Sequence, residues 1–179
     1  INPQDGRMHP GLAEGLWGLH KSRKGIRVEG GWIYRMAPRS TANWYTVEQS
    51  MGLYPTGLGV DGKPSRYPGQ VTTPGIVMAG IGIPLKNKLN ISGWNMAVPN
   101  AFNTSLLQLE RGSRDDRWMI GGMVVRQDRL MNGGNKADSL AYFQHDASMA
   151  ISGRLRMNLG RFRWQANYTR ITAEGRYLM

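Results

Sequence analysis

Strict period-2 alternation, repeated in short segments with turn residues between them, is the feature that most narrows what this chain can fold into. In residues 26–36, Ile26, Val28, Gly30, Trp32, Tyr34 and Met36 alternate with Arg27, Glu29, Gly31, Ile33 and Arg35. Successive side chains of a strand point to opposite faces, so one face is apolar with aromatics near one end and the other carries charge. The split returns in residues 149–159, where Met149, Ile151, Gly153, Leu155, Met157 and Leu159 oppose Ala150, Ser152, Arg154, Arg156 and Asn158. In residues 162–169, Phe162, Trp164, Ala166 and Tyr168 oppose Arg163, Gln165, Asn167 and Thr169. Only Gly160 and Arg161 lie between these two segments, which is the length of a tight hairpin turn. Counting outward from that turn sets Asn158 opposite Arg163, Arg156 opposite Gln165 and Arg154 opposite Asn167, a ladder of basic and amide groups on one face.

Residues 12–20, 75–85, 89–98, 105–111 and 117–127 complete a set of about eight expected strands. Residues 75–85 are apolar on both faces, so their inner side is expected to meet protein or a poorly wetted surface. The faces mix in residues 89–98, where Asn95 is assigned to the wet side. Connections at residues 21–25, 86–88, 112–116 and 160–161 are short, whereas those at 37–73, 99–104 and 128–148 are longer. Tight turns at one end and long loops at the other are the habit of outer-membrane barrels, which places residues 37–73 and 128–148 outside the cell and the short turns in the periplasm. Within the first long loop, Ser40 is expected to cap a short helix that Gly52 ends.

Composition agrees with strands and removes several alternatives. A formal net charge of +11 in 179 residues suits a nucleic-acid binder, but such proteins cluster their cations on one patch and these are scattered singly. The absence of cysteine removes disulfide scaffolds, thiol catalysis and thiolate metal sites. The longest apolar run, residues 75–85, falls well short of the roughly 20 residues a membrane helix needs. The first residues show no basic start followed by an apolar stretch, and no initiator Met, so the chain is expected to begin at a processed terminus or partway through a longer protein.

Motifs that suggest chemistry have plainer readings. Gly80 and Gly82 form a GxG without the third glycine or the helix that a dinucleotide site requires, so small residues on a crowded strand face explain them better. Asp115 and Asp116 sit among Gly112, Ser113 and Arg114, in a solvated turn. His9, His20 and His145 share no ligand spacing. Asn103-Thr104-Ser105 and Asn167-Tyr168-Thr169 match the glycosylation pattern, which is short enough to arise by chance. In Arg161-Phe162-Arg163-Trp164 the rings share a face that Arg163 points away from, whereas a nucleic-acid platform needs rings and cations together.

Particular residues bring a family into view. Ile1-Asn2-Pro3-Gln4-Asp5-Gly6-Arg7-Met8 and Glu29-Gly30-Gly31-Trp32-Ile33-Tyr34-Arg35, with Pro38-Arg39-Ser40-Thr41 after it, resemble OprD-type outer-membrane porins, particularly a Bacteroidetes-like branch. Phe102-Asn103-Thr104 before Leu106-Leu107-Gln108, and the order of residues 119–127, a long loop and 151–172, are similar too. The resemblance implies a wide barrel of about eighteen strands, narrowed by inward-folded loops and passing small solutes, often carboxylates. This chain is then the central portion of that barrel, with residues 1–11 the end of an inward-folded loop. The family's later strands, which carry much of its basic lining, have no counterpart here.

The expected fold is therefore an all-β transmembrane antiparallel barrel, about eight strands of a larger porin. Arg27, Glu29, Arg35, Asn95, Arg154, Arg156, Arg163 and Gln165 are the expected pore-lining residues. The expected function is passive diffusion of small anionic or carboxylate-bearing solutes, without catalysis, cofactor, metal or nucleic acid, in contact with outer-membrane lipid. One rival is a complete eight-stranded barrel serving as anchor or adhesin. Side chains fill such a barrel, and its unpaired buried arginines would each cost several kcal/mol. The other rival is a soluble lipocalin-like barrel, which would turn the apolar face inward.

Overall fold

The computed structural model describes residues 11–37, 43–51 and 71–172. Expectations for the opening residues, for Ser40 and Gly52, and for most of the first long loop lie outside these residues. Nine antiparallel strands form one sheet: β1 (Leu12–Lys21), β2 (Arg27–Ala37), β3 (Tyr45–Thr46), β4 (Ile76–Leu85), β5 (Leu89–Val98), β6 (Phe102–Gly112), β7 (Trp118–Arg129), β8 (Ala147–Leu159) and β9 (Phe162–Ile171). The order is β1-β2-β4-β5-β6-β7-β8-β9, with the short β3 paired to β2 beside the main path. Each long strand thus pairs with its neighbour in sequence, the meander that tight hairpins dictate. Among the described residues β1 pairs only with β2 and β9 only with β8, so the sheet is open at both edges.

The α1 helix (Val47–Ser50) begins at Thr46, whose hydroxyl accepts from the Gln49 amide while the Gln49 side chain accepts from the Thr46 amide. This reciprocal capping pair starts the single turn. Four residues give it no capacity to span a membrane.

Short connections gather at one end of the sheet. Gly160 takes φ +61° at the first central position of the two-residue turn, a backbone shape that costs glycine nothing. Asn87, Lys88 and Asp116 take positive φ in the neighbouring turns. At the opposite end the expected long connection at 99–104 shrinks to three residues, because Phe102, Asn103 and Thr104 already pair within β6.

That tight turn anchors its neighbours. The Gly134 amide donates to the Asn100 carbonyl at 2.6 Å, and the Leu130 amide to the Ala101 carbonyl at 3.1 Å. The Thr72 amide donates to the Gly134 carbonyl at 2.9 Å, and the Asn100 side chain to the Thr72 carbonyl at 3.1 Å. Between them lies a small apolar core of Val71, Val98, Ala101, Phe102 and Phe143, flanked by Met51, Ile76, Met96 and Tyr142. Phe102 holds Phe143 and Tyr142 at ring-centroid distances of 5.8 and 6.0 Å.

Exposure along the strands runs opposite to that of a soluble protein. In β7 and β8 the apolar set is the exposed one, with Ile120 at 53 % and Ile151 at 49 %, while Gly121, Met123, Arg154 and Arg156 between them are half-buried. Leu107 and Leu109 of β6 are likewise more exposed than Gln108 and Glu110. Water penalises such an arrangement, whereas lipid outside and water inside reward it.

Candidate pore-lining wall

Cross-strand partners share a face, so the register assigns every side chain to one of two walls. Arg27 and Glu29 of β2 lead through Gly82 and Gly80 to Ser92 and Trp94, then to Gln108 and Leu106, Met123 and Val125, and Ser152 and Ala150. Arg154, Arg156, Arg163 and Gln165 continue this wall. Six of the eight expected lining residues therefore stand on one face: Arg27, Glu29, Arg154, Arg156, Arg163 and Gln165. The β8–β9 pairs are Arg154 with Asn167, Arg156 with Gln165 and Asn158 with Arg163, the ladder expected from the two-residue turn.

The other two stand elsewhere. Asn95 pairs with Ala79 and Ser105, on the wall of Val77, Ile81 and Leu107, and its amide donates to the Ser105 hydroxyl at 3.0 Å. In β5 the positions on the wall of Arg27 and Arg154 are Asn90, Ser92, Trp94 and Met96, so Asn95 has the opposite parity. Arg35 is displaced by a β-bulge: Gly15 pairs with Ile33 and Glu14 with Arg35, leaving Tyr34 without a partner on β1. Past the bulge the parity of β2 reverses, and Arg35 joins the Leu16 and Trp32 wall at the loop end. There Glu14 accepts from the Tyr34 hydroxyl at 3.1 Å and from Arg35 at 3.3 Å, and the Arg35 guanidinium lies 5.9 Å from the Trp44 ring.

Charge on the basic wall is partly cancelled. Arg27 pairs with the buried Glu29 at 2.8 Å, and Arg154 pairs with Glu110. Arg163 donates to the neutral Asn158 amide at 3.2 Å, and the Nε of Arg156 has no hydrogen-bond partner among the described residues. Neither Arg156 nor Arg163 is ion-paired among those residues, so uncompensated positive charge concentrates near the short-turn end of β8 and β9. Beside it Gln108, Glu110, Met123, Ser152, Arg154, Asn167 and Thr169 line an open concavity of about 350 Å³, with the Ser152 and Thr169 hydroxyls 2.9 Å apart. Gln108, Ser152 and Thr169 were within reach of the sequence, since each stands two positions from Glu110, Arg154 or Asn167. Asp138, in the loop after β7, pairs with Arg129 at 2.5 Å and not with these arginines.

Aromatic residues form a second group on the basic wall. Trp17 pairs across β1–β2 with Gly31, and Trp94 across β4–β5 with Gly80. The two indole planes lie within 23° of each other with centroids 6.5 Å apart. A Cβ on Gly80 would stand 2.8 to 2.9 Å from three atoms of the six-membered ring of Trp94, and one on Gly31 would meet the Leu16 carbonyl oxygen first and then the Trp17 ring at 2.6 Å. Gly80 thus serves the close ring contact that the crowded-face reading of this GxG anticipates.

Solved structures share this architecture. OpdO and the outer-membrane protein OpdK of Pseudomonas aeruginosa superpose with TM-scores of 0.67 and 0.65 at 16 % and 14 % identity, over 97 % and 93 % of this chain. OpdF of the same organism gives 0.62 at 14 % identity over 94 %. The chain spans about two-fifths of their length, 39 to 40 %. No protein-family model matches the chain, and no curated protein does. The fold is thus a partial outer-membrane β-barrel of the OprD type.

Proposed function

We propose that this chain forms part of the wall of an outer-membrane diffusion channel that favours small anionic, carboxylate-bearing solutes. The observation that carries the reading is the inverted exposure of the central strands: across β6, β7 and β8 the apolar face is the open one, and the face bearing Glu110, Arg154 and Arg156 is the more sheltered one. In a narrow aqueous passage with low-dielectric walls, cations of one sign focus the potential and concentrate anions. OpdK has been solved with vanillate and OpdF with glucuronate, both carboxylates, which supports the same solute class here. Their source supports the OprD-type fold and not the Bacteroidetes-like branch.

The inverted exposure opposes a lipocalin-like barrel, and the separate edges of β1 and β9 oppose a small barrel closed on itself. Strands beyond those described complete the wall in this reading, because lipid tolerates no open sheet edge. Loops 37–73 and 128–148 face outward from the cell, residues 1–11 end an inward-folded loop, and the apolar face meets lipid. The channel works passively, without catalysis, cofactor or nucleic acid.

Changing Arg154, Arg156 and Arg163 to Glu in the full-length channel tests the reading. The reversal potential across a salt gradient moves toward cation preference with the barrel still folded; an unmoved potential removes these residues from the functional lining.

A further inference from the structure

Trp17 and Trp94 have no part in the anion reading, yet glycines at two positions make room for their rings. Three atoms of the six-membered ring of Trp94 are nearly equidistant from the point where a Gly80 Cβ would stand, so the indole lies face-down on β4. Its other face is then turned away from the sheet. Trp17, 49 % exposed, continues that surface, since the two planes differ by only 23°. Leu19, Met78, Met96 and Leu106 share the same wall around them. Toward the short turns lies a hollow beside Gly82, in which Lys21, Arg27, Asn90 and Ser92 stand among the apolar Leu19, Pro84 and Ile91.

We infer that Trp17 and Trp94 form a ring-stacking subsite in the passage, taking solutes that present the flat apolar face of a six-membered ring. A ring laid on the indoles keeps dispersion and π contact on one side and water on the other. Its polar substituents reach Asn90, Ser92 and Arg27 in the adjoining hollow. An acyclic solute of equal polarity has no flat face to offer. The inference rests on the basic wall being the wall of the passage, but not on its charge.

Uncharged probes therefore test it in the full-length channel in planar bilayers, read as the lifetime of single-channel current blockades. Methyl glucoside is compared with sorbitol, and benzamide with butyramide; the first pair tests a sugar ring and the second an aromatic one. At least one ring probe is expected to dwell about two- to tenfold longer than its acyclic match. Trp17→Leu and Trp94→Leu shorten that dwell toward the acyclic value, Trp17→Tyr retains part of it, and the reversal potential is unchanged in all three. Equal dwell times for ring and chain in both pairs overturn the inference, as does a ring preference that survives both Leu variants. A channel without anion preference that still separates ring from chain supports the subsite while sinking the anion reading.

Discussion

Arg154 of β8 reaches across β7 to Glu110 of β6, and the two meet over Gly121, which pairs with both and has no side chain to part them. The contact joins strands that are not neighbours and removes one cation from the basic wall. Glu110→Gln keeps the hydrogen-bonding shape while deleting the negative charge. Anion-over-cation permeability should rise by about two- to fivefold at low salt, the scale of one unit charge at contact in a wet site. It should fade as salt shortens the Debye length to about 8 Å near 0.15 M. A reversal potential that moves the other way would place Glu110 outside the passage.

The exposed wall makes an independent demand. Leu155 stands between Ile120 and Ala166 on the apolar face. Leu155→Arg should destabilise the barrel by about 2 to 4 kcal/mol if the residue lies near the bilayer midplane. Urea-dependent folding into vesicles measures this, and an unchanged equilibrium would mean that this face does not meet lipid.

Gly80→Val places branched atoms where the Trp94 ring lies. Overpacking of this kind costs about 1 to 3 kcal/mol, and the indole must leave the wall. A shift in tryptophan emission with reduced stability is expected; unaltered emission and stability would show that the ring was never seated on β4.

Phe143 fixes the 130–146 loop to the sheet, being almost fully buried against Phe102. Phe143→Ala should loosen the loop by about 3 to 5 kcal/mol, a large aromatic truncation. Protease added to intact cells should cut this loop faster in the variant while sparing residues 86–88. Equal cleavage rates would deny the anchor.

In the turn at residues 113–117, the Ser113 hydroxyl bonded to Asp115 holds that carboxyl below its ordinary value, helped by the Arg117 amide and charge. A depressed folded value contributes order above the ordinary carboxylate range and loses it as pH falls through the folded value. Amide protection in this turn, taken relative to the intrinsic exchange rate at each pH, should therefore fall only on acidification below that range. Protection unaffected by acid, or changed by Asp115→Asn at neutral pH no more than by Asp146→Asn, would dismiss the interaction.

Parity decided what was legible. The β8–β9 register followed from a two-residue turn and unbroken alternation, so Arg154, Arg156, Arg163 and Gln165 fell on one wall. Arg35 was misplaced because a bulge inserts one residue, and nothing in Trp32-Ile33-Tyr34-Arg35 marks it. Asn95 was misplaced because β5 has large apolar residues on both faces, so polarity gives no parity there. The tight turn after β5 looked longer because Asn103 and Thr104 are common loop residues that here sit within a paired strand. Trp17 and Trp94 carry no signal in the sequence that pairs them with glycines; only the register sets each against one.

Backbone bonds tie residue 72 to residue 134 and the 130–134 segment to the turn at Asn100 and Ala101, and the Asn100 side chain ties that turn to Thr72. Thr72 and Gly134 therefore cannot part from this turn without breaking bonds to each other. Loosening of these two short segments is consequently a shared event with one threshold, because each is held partly by the other.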